Sequence, residues 1–116
     1  MSNLIKNNEI IIKKSKFFGF LYNVENIDEI NLILNNLKIE HKKATHICYA
    51  YKTGVSAKYF DDGEPAGTAG KPIFNIIEKK NLNNILICVV RYFGGIKLGA
   101  GGLFRAYSNC ASELFK

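Results

Sequence analysis

No run of apolar residues here approaches the roughly 20 needed for a membrane-spanning helix, so a transmembrane helix is excluded. A secretory leader is not expected either. Asn7, Asn8 and Glu9 interrupt the region where one needs a continuous apolar run, and a cytoplasmic protein is expected. Tryptophan is absent and cysteine occurs three times, as Cys48, Cys88 and Cys110, far apart and without CxxC or any other metal-ligand spacing. Each sits in apolar or half-apolar surroundings, where a free thiol packs as a small hydrophobe. Neither a GxxxxGK[ST] loop nor a GxGxxG fingerprint occurs, which removes the two commonest sequence signs of a nucleotide fold. Neither a cofactor nor a metal is expected.

What is present is the composition of one globular domain: 116 residues, 47% apolar and 22% charged. The net charge of +6 favours an acidic partner, either nucleic acid or an anionic protein. Abundant Lys, Asn and Ile also fit AT-rich codon usage, so the excess alone does not choose a partner.

Ile10 to Val24, rich in β-branched and aromatic residues, reads as a strand. Asn26 stands three residues before Glu29 as a capping box, and Ile30, Ile33, Leu34 and Leu37 then place a helix over 27–39. Residues 45–51 and 55–60 read as strands around a turn at Lys52-Thr53-Gly54. Asp61 to Gly70 is a loop, and Pro72 with Ile73, Ile76 and Ile77 marks a short helix. Ile85 to Tyr92, continuously apolar up to Val90, reads as a central strand. Leu103 to Phe115 is the last helix, with Phe104, Tyr107, Ala111 and Leu114 as its core stripe. The order expected is β-α-β-β-α-β-α, in one domain with no internal repeat.

Two glycine-rich loops precede helices. Five of the ten glycines, Gly94, Gly95, Gly99, Gly101 and Gly102, fall within nine positions, interleaved with Lys97 and bracketed by Arg91 and Arg105. Glycine lets backbone approach a ligand, and a helix N-terminus favours negative charge, so the loop has the makings of an anion site. Tyr92, Phe93, Phe104 and Tyr107 alternate with these cations. That pattern fits nucleic acid, because cations track phosphates and aromatics stack on bases. A tight strand-to-helix turn would use the same glycines for packing alone.

The other loop, Asp61-Asp62-Gly63-Glu64-Pro65-Ala66-Gly67-Thr68-Ala69-Gly70, puts three carboxylates within four residues. Hard oxygens of this kind suit Mg²⁺ or Ca²⁺, but the spacing matches no EF-hand, and acid ahead of a helix is favourable for capping. Asp62 or Glu64 paired with Arg91 or Arg105 would tie the two loops together. His46 and Cys48, two apart on a strand, face the same way. A Cys-His nucleophile would need them aimed at each other, and no orienting third residue is evident. Lys13-Lys14-Ser15-Lys16 is either a solvated strand end or an extension of a basic face.

Asp62-Gly63-Glu64-Pro65, Gly67-Thr68-Ala69-Gly70 and Pro72, followed by Arg91-Tyr92-Phe93-Gly94-Gly95, Lys97-Leu98-Gly99, Gly101-Gly102 and Arg105-Ala106-Tyr107-Ser108, resemble the two signature blocks of the YigZ/IMPACT family. Ala44-Thr45-His46 with Cys48 and Ala50, and Lys13-Lys14-Ser15-Lys16-Phe17, are similar to its weaker upstream blocks. The resemblance implies an α+β two-layer sandwich like the second domain of small-subunit ribosomal protein five and domain IV of elongation factor G, with a left-handed crossover. It implies a single Impact N-terminal domain over 1–116; the C-terminal ferredoxin-like domain usual in bacterial members is expected to be absent, a departure from the family's pattern. It implies a non-enzymatic cytoplasmic protein regulating translation through RNA, ribosome or translation-factor binding, with no sequence-specific DNA recognition. On this reading Arg91, Tyr92, Gly94, Gly95, Lys97, Gly99, Gly101, Gly102, Arg105 and Tyr107 form the anion or nucleic-acid site. Asp62, Gly63, Glu64, Gly67, Thr68 and Gly70 are then its loop partners. A protein-interaction module recognising an acidic protein is the alternative, followed by an enzyme acting on a phosphorylated small molecule.

Overall fold

A computed structural model describes residues 3–116. The described residues form β1 (Leu4–Ile12), β2 (Ser15–Asn23), α1 (Ile27–Glu40), β3 (His46–Lys52), β4 (Ala57–Phe60), α2 (Gly70–Lys79), β5 (Ile85–Tyr92) and α3 (Gly99–Glu113). The strands make one sheet in the order β1-β2-β5-β3-β4, with every neighbouring pair antiparallel. The α+β class is as expected, with one strand more. The segment read as a single strand is two, joined at Lys13 (φ 47°) and Lys14 (φ 68°), with Ile12 opposite Ser15. A two-residue hairpin turn with both residues at positive φ is normally Asn-Gly or Asp-Gly, and Lys-Lys carries no such signal.

β5 is the spine of the core. Its side chains alternate between two hydrophobic clusters, one on each face of the sheet. Ile87 and Val89 join Phe17 and Leu21 under α2 and α3, which contribute Ile73, Ile77, Tyr107 and Cys110. Leu86 and Cys88 join Tyr22 and Tyr51 under α1, which contributes Ile30, Leu34 and Leu37. The helical layer expected against the sheet is therefore α2 with α3, and α1 adds a cover on the opposite face. Full burial of one such aliphatic side chain stabilises by about 1.5–3 kcal/mol.

This arrangement fixes the crossover handedness. β2 and β3 both run antiparallel to β5, so β2-α1-β3 is a parallel crossover; β4-α2-β5 is the second, by the same logic. The second runs the other way across the sheet with its strands reversed, and a half-turn about the sheet normal superimposes the two paths. Their helices lie on opposite faces, so the two crossovers have opposite hands. One of them is necessarily left-handed, against the usual right-handed rule.

Asn26 caps α1, accepting from the Glu29 backbone N–H at 2.9 Å, while Glu29 Oε1 accepts from the Glu25 N–H at 2.8 Å. α3 starts at Gly99, four residues before the expected Leu103, so the second glycine loop supplies its first turn. Its buried stripe runs through Leu103, Tyr107, Cys110 and Leu114, and Phe104 stands 38% exposed. Both stripes satisfy helical spacing; only the packing separates them.

Candidate functional site

The Asp61–Gly70 loop is organised by its first residue. Asp61 Oδ1 accepts from the backbone N–H groups of Ala69 (3.2 Å) and Gly70 (2.8 Å), and Oδ2 accepts from Gly67 (2.9 Å). One carboxylate thus satisfies donors at the start of α2 and suits its positive dipole end. Asp62 turns the other way, with Oδ2 accepting from the Ile47 N–H at 2.7 Å. Among the described residues no group of three or more His, Cys, Asp or Glu side chains is placed to hold a metal ion.

Glu64 is driven inside. Its side chain is 3% exposed and that of Arg91, on β5, is 6% exposed. Arg91 Nη1 donates to Glu64 Oε1 at 3.0 Å and Oε2 at 2.8 Å, and the Tyr107 hydroxyl of α3 donates to Oε2 at 2.5 Å. Arg91 Nη2 reaches Ser15 Oγ at 3.4 Å, which also accepts from the Gly94 N–H at 3.2 Å. His46 donates from Nδ1 to the Asp62 carbonyl at 2.6 Å, since a carbonyl only accepts, and turns Nε2 toward Glu64 Oε1 at 3.5 Å. β3, β5 and α3 therefore meet on one carboxylate of the first glycine loop, and Ser15 of β2 joins the second glycine loop to it through Arg91. Such a buried ion pair contributes little net stability over an apolar substitute, yet breaking it is costly, so it serves to hold one loop arrangement.

The Arg91–Glu64 pair is the tie between loops that the carboxylate run made available, and it has a consequence. Arg91 and Tyr107 are not surface contacts: Arg91 is 5% exposed and Tyr107 is 0% exposed. Their place in the anion site is corrected on that ground, because a guanidinium committed to a buried carboxylate is not free for phosphate. Tyr92 is half-buried, its hydroxyl 2.6 Å from His41 Nδ1 and its ring packed edge-on against Phe18. Gly94 packs on the β1–β2 turn so closely that a Cβ there would lie 2.0 Å from the Lys14 carbonyl oxygen. Gly99 opens α3 at φ 74°, a left-handed conformation favouring glycine.

Lys97 and Arg105 remain exposed, as do Gly95, Gly99 and Gly101, while Gly102 is half-buried. α3 has no side-chain cap and no acidic residue in its first turn. The Arg105 guanidinium folds back over that turn, 3.4 Å from where a Gly101 Cβ would stand. In the other loop, Glu64 and Thr68 are buried, and Gly63 abuts the His46 ring. Thr68 Oγ1 donates to the Pro65 carbonyl at 2.5 Å, and Gly70 starts α2.

Both loops line one cleft of about 440 Å³. Pro65, Phe93, Leu98 and Leu103 form apolar walls, with Glu64, Arg91 and His46 at its polar side and Lys97 among its lining residues. Phe93 lies over the Arg91 guanidinium, its ring centroid 5.4 Å from Cζ, with the Phe17 ring 5.7 Å from the same atom.

Cys48 is no nucleophile: it is fully buried, donates to the Asp61 carbonyl at 3.2 Å, and burial raises its pKa far above the ordinary thiol range. Sequence reasoning missed Ser15, Asp61 as organiser, and Thr45, whose Oγ1 accepts from the Phe93 N–H at 2.9 Å. A Ser or Thr at a strand's entry, Ser15 opening β2 and Thr45 just before β3, is the slight signal that was available for two of them.

Residues 13–115 match the model of the Impact N-terminal domain. The chain is 46% identical over 108 residues to IMPACT family member YvyE of Bacillus subtilis strain 168, covering 90% of this chain and 50% of that protein. It is 36% identical over 110 residues to IMPACT family member YigZ of Escherichia coli K12, covering 90% and 54%. It thus spans about half the length of these relatives. A crystal structure of a protein described as hypothetical superposes with a TM-score of 0.90 at 34% identity, over 99% of this chain and 61% of that one. The two-domain translational regulator Yih1 superposes at 0.60 and 25% identity, over 98% and 46%.

Proposed function

The chain belongs to the IMPACT family through its Impact N-terminal domain, and on that premise we propose that it regulates translation as a non-catalytic, cytoplasmic domain that binds RNA of the ribosome. The likeness to the translational regulator Yih1 supports the setting. The observation that carries the RNA reading is a basic pole at one end of the sheet. The β1–β2 turn offers Lys13 and Lys14, the α1–β3 connection Lys42 and Lys43, and the β5–α3 loop and α3 offer Lys97 and Arg105, all exposed. These segments are physically joined. Gly94 packs on Lys14, Thr45 N donates to the Arg91 carbonyl at 2.8 Å, and Lys13 and Arg105 line one hollow. Glu64 is neutralised by Arg91 and Asp61 and Asp62 are tied to backbone N–H groups, so the six exposed cations outnumber the acids beside them, Glu40, Asp61 and Asp62. Lysines at two left-handed turn positions add to the reading, since backbone strain is kept where a function holds it.

Ribosome co-sedimentation and fluorescence anisotropy with ribosomal RNA fragments test this. Lys13, Lys14, Lys97 and Arg105 changed together to Ala should weaken binding at least tenfold. The slope of log K against log salt should drop by roughly 3, at about 0.7 per lost phosphate contact on single strands. Binding and slope unchanged in a folded quadruple variant would refute the proposal. A protein-interaction reading is favoured by one observation, the exposed Ile96 (42%) and Phe104 (38%) beside the same cations. It predicts partner capture that survives nuclease treatment.

A further inference from the structure

We infer that the cleft between the two glycine loops receives a single unstacked RNA nucleotide, with its base against Phe93 and its phosphate at Lys97 and the start of α3. This rests on the RNA reading above and gives it a subsite. The apolar walls, Pro65, Phe93, Leu98 and Leu103, do nothing for a phosphate alone, so the ligand has a flat or apolar body as well as a charge. Phe93 is prepared for stacking. One face of its ring is held on the Arg91 guanidinium, and the residue is still 45% exposed. Arg91 in turn cannot shift, because Glu64 and Ser15 hold its terminal nitrogens.

A charge seat adjoins the apolar part. Lys97 and the backbone of Gly99 and Ala100 line the same cleft, and the first turn of α3 carries neither a cap nor an acid. An independent sign of a ligand lies at the polar side. Among the described residues, Arg91 Nε is the one buried side-chain nitrogen or oxygen without a hydrogen-bond partner, on a residue 95% buried that lines this cleft. The base lies on the face of Phe93 turned away from Arg91, so a ribose oxygen supplies the acceptor that this N–H lacks, whereas an aliphatic side chain does not. A paired base exposes only its edges, so the stacking surface is open only to a bulged, looped or terminal nucleotide.

The test compares two fluorescein-labelled, blunt-ended RNA hairpins whose strands are joined by a non-nucleotide linker in place of a loop, identical except for one bulged uridine, by anisotropy at fixed salt. Wild type should bind the bulged hairpin about tenfold tighter, the range expected for one base stacked on an aromatic ring. Phe93→Ala, and Phe93→Leu, which keeps an apolar cover on Arg91 without an aromatic face, should both erase that difference; circular dichroism confirms that each variant is folded. Equal affinity for both hairpins, or a preference that survives Phe93→Ala, overturns the subsite while leaving the RNA reading intact. No binding to either hairpin overturns both. Displacement of the bulged hairpin by a short peptide of leucine flanked by glutamates, but not by uridine monophosphate, would assign the cleft to protein and also overturn it.

Discussion

Replacing Glu64 by Gln keeps the side chain's shape and removes its charge. The Tyr107 hydroxyl retains an acceptor, but the Arg91 guanidinium is left charged in a site where its side chain is only 6% exposed. At 2.8 Å and an effective dielectric of about 20, the lost attraction is roughly 6 kcal/mol before desolvation is counted. Removing one member of a buried pair typically costs about 3–5 kcal/mol, a large part of the 5–15 kcal/mol that holds a domain folded. The melting midpoint should therefore fall by at least about 10 °C. Urea unfolding followed by circular dichroism reads the loss directly. Arg91→Met should cost a similar amount, stranding the carboxylate. The double variant Glu64→Gln with Arg91→Met should lose clearly less than the two singles summed, because neither stranded charge remains and Tyr107 keeps its acceptor. Single-variant losses below about 1 kcal/mol, the range of exposed ion pairs, would refute the reasoning. So would a double variant whose loss equals the sum of the singles.

Gly94→Ala should destabilise by more than about 2 kcal/mol, because the new Cβ would stand 2.0 Å from a backbone carbonyl that the tight β1–β2 turn holds in place. Gly101→Ala should be neutral or stabilising by up to about 1 kcal/mol, since its nearest neighbour is the mobile end of Arg105 at 3.4 Å; thermal melts of the two variants check the contrast. The three buried thiols predict alkaline weakening. Burial pushes Cys110 up to about 12 and Cys48 and Cys88 higher still, while an unfolded thiol titrates near 8.5. Between those values the unfolded chain has released protons that the native chain keeps, so stability falls as pH rises, by about 1.4 kcal/mol per unit for each thiol. Urea midpoints at pH 7, 8.5 and 10 should show a shallower decline in Cys88→Ala, and identical slopes would contradict it.

The legible parts of the sequence were those where periodicity and chemistry agree. β5 is a continuous apolar run because the sheet is covered on both faces, and α1 announces itself through Asn26, Glu29 and four spaced aliphatics. The β1–β2 hairpin was illegible because its turn uses Lys-Lys where glycine and asparagine are the recognisable choice. The start of α3 was hidden for a related reason. Gly99, Gly101 and Gly102 are poor helix formers, yet an N-terminal turn tolerates them because its N–H groups have no intrahelical partner to lose. The site's residues were visible as a set, but their roles depend on burial. Arg91 and Arg105 are equivalent as letters; only the β5 address of Arg91, facing the α3 side of the core, makes it a strut.

That difference also explains how a segment with balanced charges becomes a basic face. The two loops and their flanks carry Asp61, Asp62 and Glu64 against Arg91, Lys97 and Arg105, which cancel in a sequence count. Folding spends them unequally. Asp61 goes to the start of α2, Asp62 to the β3 backbone, and Glu64 with Arg91 to the interior. Two cations are left outside, where Lys13, Lys14, Lys42 and Lys43 join them from other parts of the chain. The buried carboxylate and the exposed cations are thus one device. Glu64 and Arg91 cancel each other inside, Asp61 and Asp62 are half-buried acids that fix the loop geometry, and the six exposed cations outnumber them at this pole.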